Sequence, residues 1–129
     1  GSTSNLAERG LDIDIDSSSN VYITGYFQGT VDFGNGDRTA SGGSDIFVLK
    51  LDSSGTFQWV YTAGGIAGTS PSYDVGYGIA VDSSGNIYTA GVFTVNIELT
   101  TGVNIESQYA NLKTDALMFK LNSSGQYSN

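Results

Sequence analysis

The sequence predicts an all-β protein made of two similar antiparallel sheets, and three observations carry that expectation. The chain repeats itself: DSSSNVYITGYF at residues 16–27 returns as DSSGNIYTAGVF at residues 82–93, an offset of 66, and DIFVLKLDSSG at residues 45–55 returns as DALMFKLNSSG at residues 115–125, an offset of 70. Self-similarity at such a period is the mark of modular architecture. Apolar and polar residues also alternate with period two, the rhythm of a half-buried strand. Eighteen glycines against the single Pro71, in 129 residues that are 39% hydrophobic and 12% aromatic, fit short strands joined by tight turns over a real core. No segment favours helix.

In the first unit, Leu11, Ile13 and Ile15 alternate with Asp12, Asp14 and Asp16, which reads as a strand with one apolar face and one solvated carboxylate face. Residues 16–20 supply a turn, since Asx and Ser side chains bond the local backbone, and residues 21–27 return as the second strand of a hairpin. Residues 45–52 are apolar on both faces apart from Lys50, so that strand is expected to be covered on two sides. Ser53, Ser54 and Gly55 turn it into residues 56–63, where Phe57, Trp59 and Tyr61 share a face. The unit is thus four antiparallel strands in chain order.

Residues 64–78, with Pro71, read as the connection between units. Residues 78–82, 86–93 and 115–122 then repeat the first three strands, and the fourth is cut short: Tyr127 matches Phe57 and Asn129 matches Trp59. Residues 30–37 and 94–113 join the second strand to the third in each unit and either lengthen the second strand or form a small extra hairpin. The chain divides into an N-terminal tag or arm (1–10), a first unit with its connecting loop (11–77) and a truncated second unit (78–129). Gly1 and Ser2 read as a cloning remnant, with any signal peptide removed.

Five basic and thirteen acidic residues give a net charge of −8. That charge repels nucleic-acid phosphates and anionic membranes, and no apolar run approaches the ~20 residues of a membrane span. No nucleic-acid partner and no membrane insertion are therefore expected. The absence of Cys and His removes disulfides, thiol nucleophiles, thiolate metal sites, the commonest zinc ligand and the usual general base near neutral pH. The acidic, Ser/Thr/Gly/Asn-rich, Lys-poor composition is common among secreted bacterial proteins.

GIAVDSSGNIY (residues 78–88), GYFQGTVDFG (residues 25–34) and GGSDIFVLKL (residues 42–51) resemble the bacterial β-propeller repeats known as SBBP repeats, over nearly everything from Gly10 to Gly125. Each motif alone is also similar to NHL-type propeller repeats. The resemblance implies that each unit is a four-stranded propeller blade of a secreted or cell-surface protein. Closing a propeller takes about four to eight blades, so two blades leave an apolar face open at each end. Either the chain is excised from a larger propeller, or copies assemble head to tail into rings of four, six or eight blades. Assembly is the favoured expectation, with residues 3–9 of a neighbour completing the edge left by the short last strand.

Candidate chemistry is sparse. Asp12, Asp14 and Asp16 are the weak Ca2+ candidates, because hard cations take several oxygen ligands. Their strand rhythm argues against a calcium loop, and no catalytic residue and no resident cofactor are expected. Asp16, Asn20, Gly25, Asp45 and Lys50, with their counterparts Asp82, Asn86, Gly91, Asp115 and Lys120, are repeat positions read as structural. Asp45, Asp115 and Asp74 are candidate ion-pair partners for the two lysines. Tyr22, Tyr26, Tyr61, Tyr73, Tyr77, Tyr88 and Trp59 are flat surfaces of the kind that stack sugars, although blade packing accounts for most of them. The functional expectation is a non-enzymatic propeller module, a scaffold or recognition surface that self-assembles. The alternatives are a lectin-like propeller and a fragment of a propeller hydrolase or lyase.

Overall fold

The computed structural model describes residues 7–66, 72–107 and 114–129. Two four-stranded antiparallel sheets dominate it. The first runs β1 (Glu8–Ile15), β2 (Val21–Phe27), β5 (Asp45–Leu51) and β6 (Phe57–Ala63), in that spatial order, with the hairpin β3 (Thr30–Asp32) and β4 (Asp37–Thr39) between β2 and β5. The second repeats the plan with β7 (Val75–Val81), β8 (Ile87–Thr94), β11 (Thr114–Leu121) and β12 (Tyr127–Ser128), and with the hairpin β9 (Asn96–Thr100) and β10 (Val103–Glu106) in the same place. The loops between second and third strands therefore form extra hairpins, and β12 is the expected short last strand.

The four polar turns have one construction. Asp16 Oδ1 accepts from the N–H groups of Ser18 and Asn20, while its Oδ2 accepts from the Asn20 side-chain amide and the Tyr22 hydroxyl. Asp82 repeats all four bonds with Ser84, Asn86 and Tyr88. Asp52 and Asn122 cap the other two turns through the N–H groups two and four residues on. The Asp-x-x-x-Asn spacing is thus what one carboxylate needs to close a turn and fix the strand after it.

Gly25 and Gly91 mark a second shared device. Each lies opposite a bulge on the neighbouring strand, between Gly10 and Asp12 in one sheet and between Gly76 and Gly78 in the other. A Cβ at Gly25 would lie 1.8 Å from the Arg9 carbonyl oxygen, and one at Gly91 would lie 2.2 Å from that of Val75. Only glycine admits that approach.

Strand alternation gives each sheet two faces. One carries Tyr22, Thr24, Ile46 and Val48 in the first blade and Tyr88, Ala90, Ala116 and Met118 in the second; we call it the tyrosine face. The other, the phenylalanine face, carries Ile23, Phe27, Phe47 and Leu49 in the first blade and Thr89, Phe93, Leu117 and Phe119 in the second. The tyrosine face of the first blade packs on the phenylalanine face of the second, and Tyr22, Ile46, Val48, Ile87, Phe93, Leu117, Phe119 and Leu121 share one buried core.

Three expectations change on contact with the structure. The carboxylates of β1 do not form a solvated face: Asp12 Oδ2 accepts from the Ile79 N–H at 2.9 Å, and Asp14 Oδ2 accepts from the Val81 N–H at 2.7 Å. The isoleucines between them are the exposed side, Ile13 at 58% and Ile15 at 56%. Alternation states which residues share a face, but which face is covered depends on the neighbouring blade. Strand β1 also starts at Glu8 and β7 at Val75, each three residues earlier than the repeat boundaries imply, because pairing continues past the bulge. Glu8 and Arg9 therefore pair with Phe27 and Tyr26 of their own sheet, the Ala7 N–H donates to Gln28 Oε1, and residues 3–6 of the expected arm lie outside the described residues, as does Pro71.

Candidate functional site

The blade joint gathers most of the chemistry. At its inner edge the Asp12 and Asp14 carboxylates grip two N–H groups of β7, charge-assisted hydrogen bonds that tie one sheet edge to the next. At its outer edge the Tyr61 hydroxyl donates to the Leu99 carbonyl, and the Glu98 N–H donates to the Gly64 carbonyl at 2.9 Å, so the β9–β10 hairpin clasps the first blade. Between these edges the Tyr61 and Phe119 rings pack with centroids 5.4 Å apart.

Two carboxylates lie sealed near one end of the joint. Both Asp45 oxygens accept from the Ser41 N–H, and burial pushes the Asp45 carboxyl up to about 6. Asp74 Oδ1 accepts from the Thr94 N–H at 3.1 Å. Its Oδ2 is buried beside Ser72 and Gly65 without a well-formed hydrogen bond, and the Ser72 hydroxyl donates instead to the Ser41 carbonyl. Burial, and to a lesser degree the charge of Asp45, pushes Asp74 up to about 7. Both groups hold protons tightly, yet Asp74 is wholly buried and Asp45 nearly so.

The remaining sequence candidates fall into clear places. Asp16 is spent on its turn, and the Asn20 side-chain amide leads the bonds that hold its carboxyl down to about 2. Asp82 is lowered likewise, chiefly by Asn86. Lys50 does not meet Asp45: they stand at opposite ends of β5, ~16 Å apart at strand rise. Its Nζ lies 5.2 Å from the centre of the Tyr22 ring, and Lys120 repeats this over Tyr88 at 5.6 Å. Cation–π contacts thus replace the expected ion pairs. Asp115 is half-buried at the start of the second blade's third strand.

Of the seven aromatic candidates, Tyr22 and Trp59 pack edge to face in the joint, Tyr61 packs there on Phe119, and Tyr88 lies on the open face of the second blade. Tyr26, Tyr73 and Tyr77 come together. They line a groove of about 380 Å³ between the blades with Arg9, Gln28 and Ser44, and Tyr73 and Tyr77 are each more than half exposed. Arg9 and Gln28 were not legible as site residues, since Arg9 precedes the repeated stretches and Gln28 stands in a motif read as structural; the scarcity of basic residues was the available signal for Arg9. A second, more polar groove of about 390 Å³ lies between the Asp16 and Asp82 turns beside Lys50. Among the described residues no group of three or more acidic side chains is arranged to hold a metal ion.

Two four-stranded meanders, one sheet's tyrosine face packed on the other's phenylalanine face, fit the arrangement of adjacent propeller blades. A family model described as a beta-propeller repeat, SBBP, matches residues 60–92. This agrees with the resemblance carried by the motifs, and the SBBP match runs from β6 across the joint into β8. A search of curated proteins finds no match.

Proposed function

We propose that this chain is a non-enzymatic β-propeller module of a secreted or cell-surface bacterial protein, a scaffold and recognition surface that closes its ring by self-association. The observation that carries the reading is the pair of unused sheet faces: Met118 is 75% exposed on one and Ile13 58% on the other, although the same positions are covered within the chain. Contiguous apolar surface of this kind marks an interaction site. Absence of catalysis is supported by the burial of Asp45 and Asp74, the two carboxyls whose proton affinities are raised into the range of acid–base work, since neither side chain is open to solvent. A module without resident Ca2+ is supported by the hydrogen bonds that engage at least one carboxylate oxygen each of Asp12, Asp14 and Asp16. Sedimentation equilibrium tests the assembly: two, three or four copies per particle are expected, and a monomer throughout the micromolar range overturns it.

A second reading is favoured by the tyrosine groove. Exposed rings beside Arg9 and Gln28 offer stacking faces and hydrogen-bond donors suited to a sugar, so the recognition surface is read as lectin-like. Glycan-array binding that Tyr73→Ala and Tyr77→Ala abolish is the expected outcome, and an array without hits contradicts it.

A further inference from the structure

We infer that the tyrosine face of the second blade in one copy docks, head to tail, on the phenylalanine face of the first blade in the next copy. This rests on the self-association reading above and adds which surfaces meet and in which direction. The joint inside the chain is the template, since it already pairs one tyrosine face with one phenylalanine face.

Position by position, the free faces are the missing halves of that joint. Val48, fully buried, corresponds to Met118, and buried Tyr22 corresponds to exposed Tyr88. On the opposite side, Ile79 and Val81 are half-buried against the first blade, while their counterparts Ile13 and Ile15 are open. Leu99 is buried by the neighbouring blade, whereas its counterpart Phe33 is only partly covered.

The register of the template is explicit at Gly76, where an added Cβ would strike the Thr24 hydroxyl at 2.3 Å and Ile46 Cγ2 at 3.1 Å. Thr24 and Ile46 of one blade thus sit on Gly76 of the next. Carried to the free faces, Ala90 and Ala116 come over Gly10, which at present meets, among the described residues, only Ile23 of its own sheet. Both residues are smaller than those they replace, and Met118 is longer than Val48. Beside Gly10 lies a groove of about 340 Å³ walled by Ile23, Phe33, Phe47 and Leu49, and the unbranched Met118 side chain is suited to fill it. Lys120 already stands over Tyr88 as Lys50 stands over Tyr22, so this side of the interface is formed before docking.

One element of the template is not repeated. Gly78 and Ala80 occupy the places of Asp12 and Asp14, so the joint between copies has no carboxylate grip, and the Ile15 N–H is satisfied instead by its neighbour Asp14 at 2.8 Å. The joint between copies is therefore the weaker and more readily separated one.

Met118→Asp and Ile13→Asp test the pairing, each placing one charge on one open face without touching the internal joint. Circular dichroism and melting should match the wild type. Each variant alone should lose self-association by roughly a hundredfold or more, because a docked carboxylate would be buried unpaired. Mixed one to one at high micromolar concentration, they retain one intact surface of each kind and should form a heterodimer that grows no further, seen by sedimentation velocity. A wild type that is monomeric defeats the self-association reading itself. A wild type that assembles while either variant assembles equally well, or while the mixture stays monomeric, leaves self-association standing and overturns the head-to-tail pairing.

Discussion

Val48 and Met118 occupy the same position of the same strand in two copies of one repeat, yet one is sealed in the core and the other is the most open of the large apolar side chains described. Ile79 and Ile13 differ in the same way on the opposite face. Local sequence therefore decides which residues share a face, and position in the stack decides whether that face is core or surface.

The strongest way to break this comparison is to charge both members of the pair. Val48→Asp should cost about 4 kcal/mol or more by burying an unpaired carboxylate, while Met118→Asp should change the stability of the single chain by no more than ~1 kcal/mol, both read by urea unfolding under dilute, monomeric conditions. Equal costs would mean the two positions are not distinguished by the stack.

Gly25→Ala and Gly91→Ala probe what the blades have in common rather than what separates them. Each Cβ would be forced against a backbone carbonyl, so each variant should lose at least ~2 kcal/mol, with similar losses in the two blades. A loss at one site alone would show that the bulge is essential to one blade only.

The buried carboxyls at the joint give a pH signature. Asp45 and Asp74 bind protons more tightly folded than the ordinary carboxylate value of 3.8, so their stabilising protonation is complete below that value and lost as pH rises through about 6 and 7. Asp16 acts oppositely: its stabilisation is present above 3.8 and lost as pH falls through about 2. Melting temperature should therefore be higher at pH 5 than at pH 8, and Asp74→Asn should flatten that slope and raise stability at pH 8. A slope unchanged in the variant would remove Asp74 as its source.

The smallest effect concerns a place where the repeats diverge in residue but not in conformation. Gly29 and Val95 are counterparts, with φ of 63° and 69°, and their carbonyls accept matching bonds from Ala40 and Ser107. A β-branched residue is strained there, so Val95→Gly should gain about 1 kcal/mol in thermal or chemical unfolding. A loss would show that the valine side chain contributes more by packing than its backbone costs.

Much of the fold was legible because it is written twice. The turn carboxylates follow from motifs whose spacing serves hydrogen bonds within a few residues, the strand order and the short last strand follow from aligning the two repeats, and the extra hairpins were one of two readings left open. What the sequence left hidden are contacts across 20 or more residues. The reach of Asp12 and Asp14 to β7 has no repeat counterpart, because Gly78 and Ala80 stand in their places, and it reversed the expected polarity of β1. Asp74 sealed against Thr94 and the convergence of Tyr26, Tyr73 and Tyr77 are likewise products of the blade junction, where residues meet through stacking rather than through a motif.

A density map of the assembled particle at side-chain resolution tests the central claim most directly. Met118 of one copy should lie in the groove beside Gly10, against Ile23 and Leu49 of the next, with Ala90 and Ala116 over Gly10 as Thr24 and Ile46 lie over Gly76 inside the chain. Met118 open to solvent, or facing another Met118 across a two-fold axis, would contradict it.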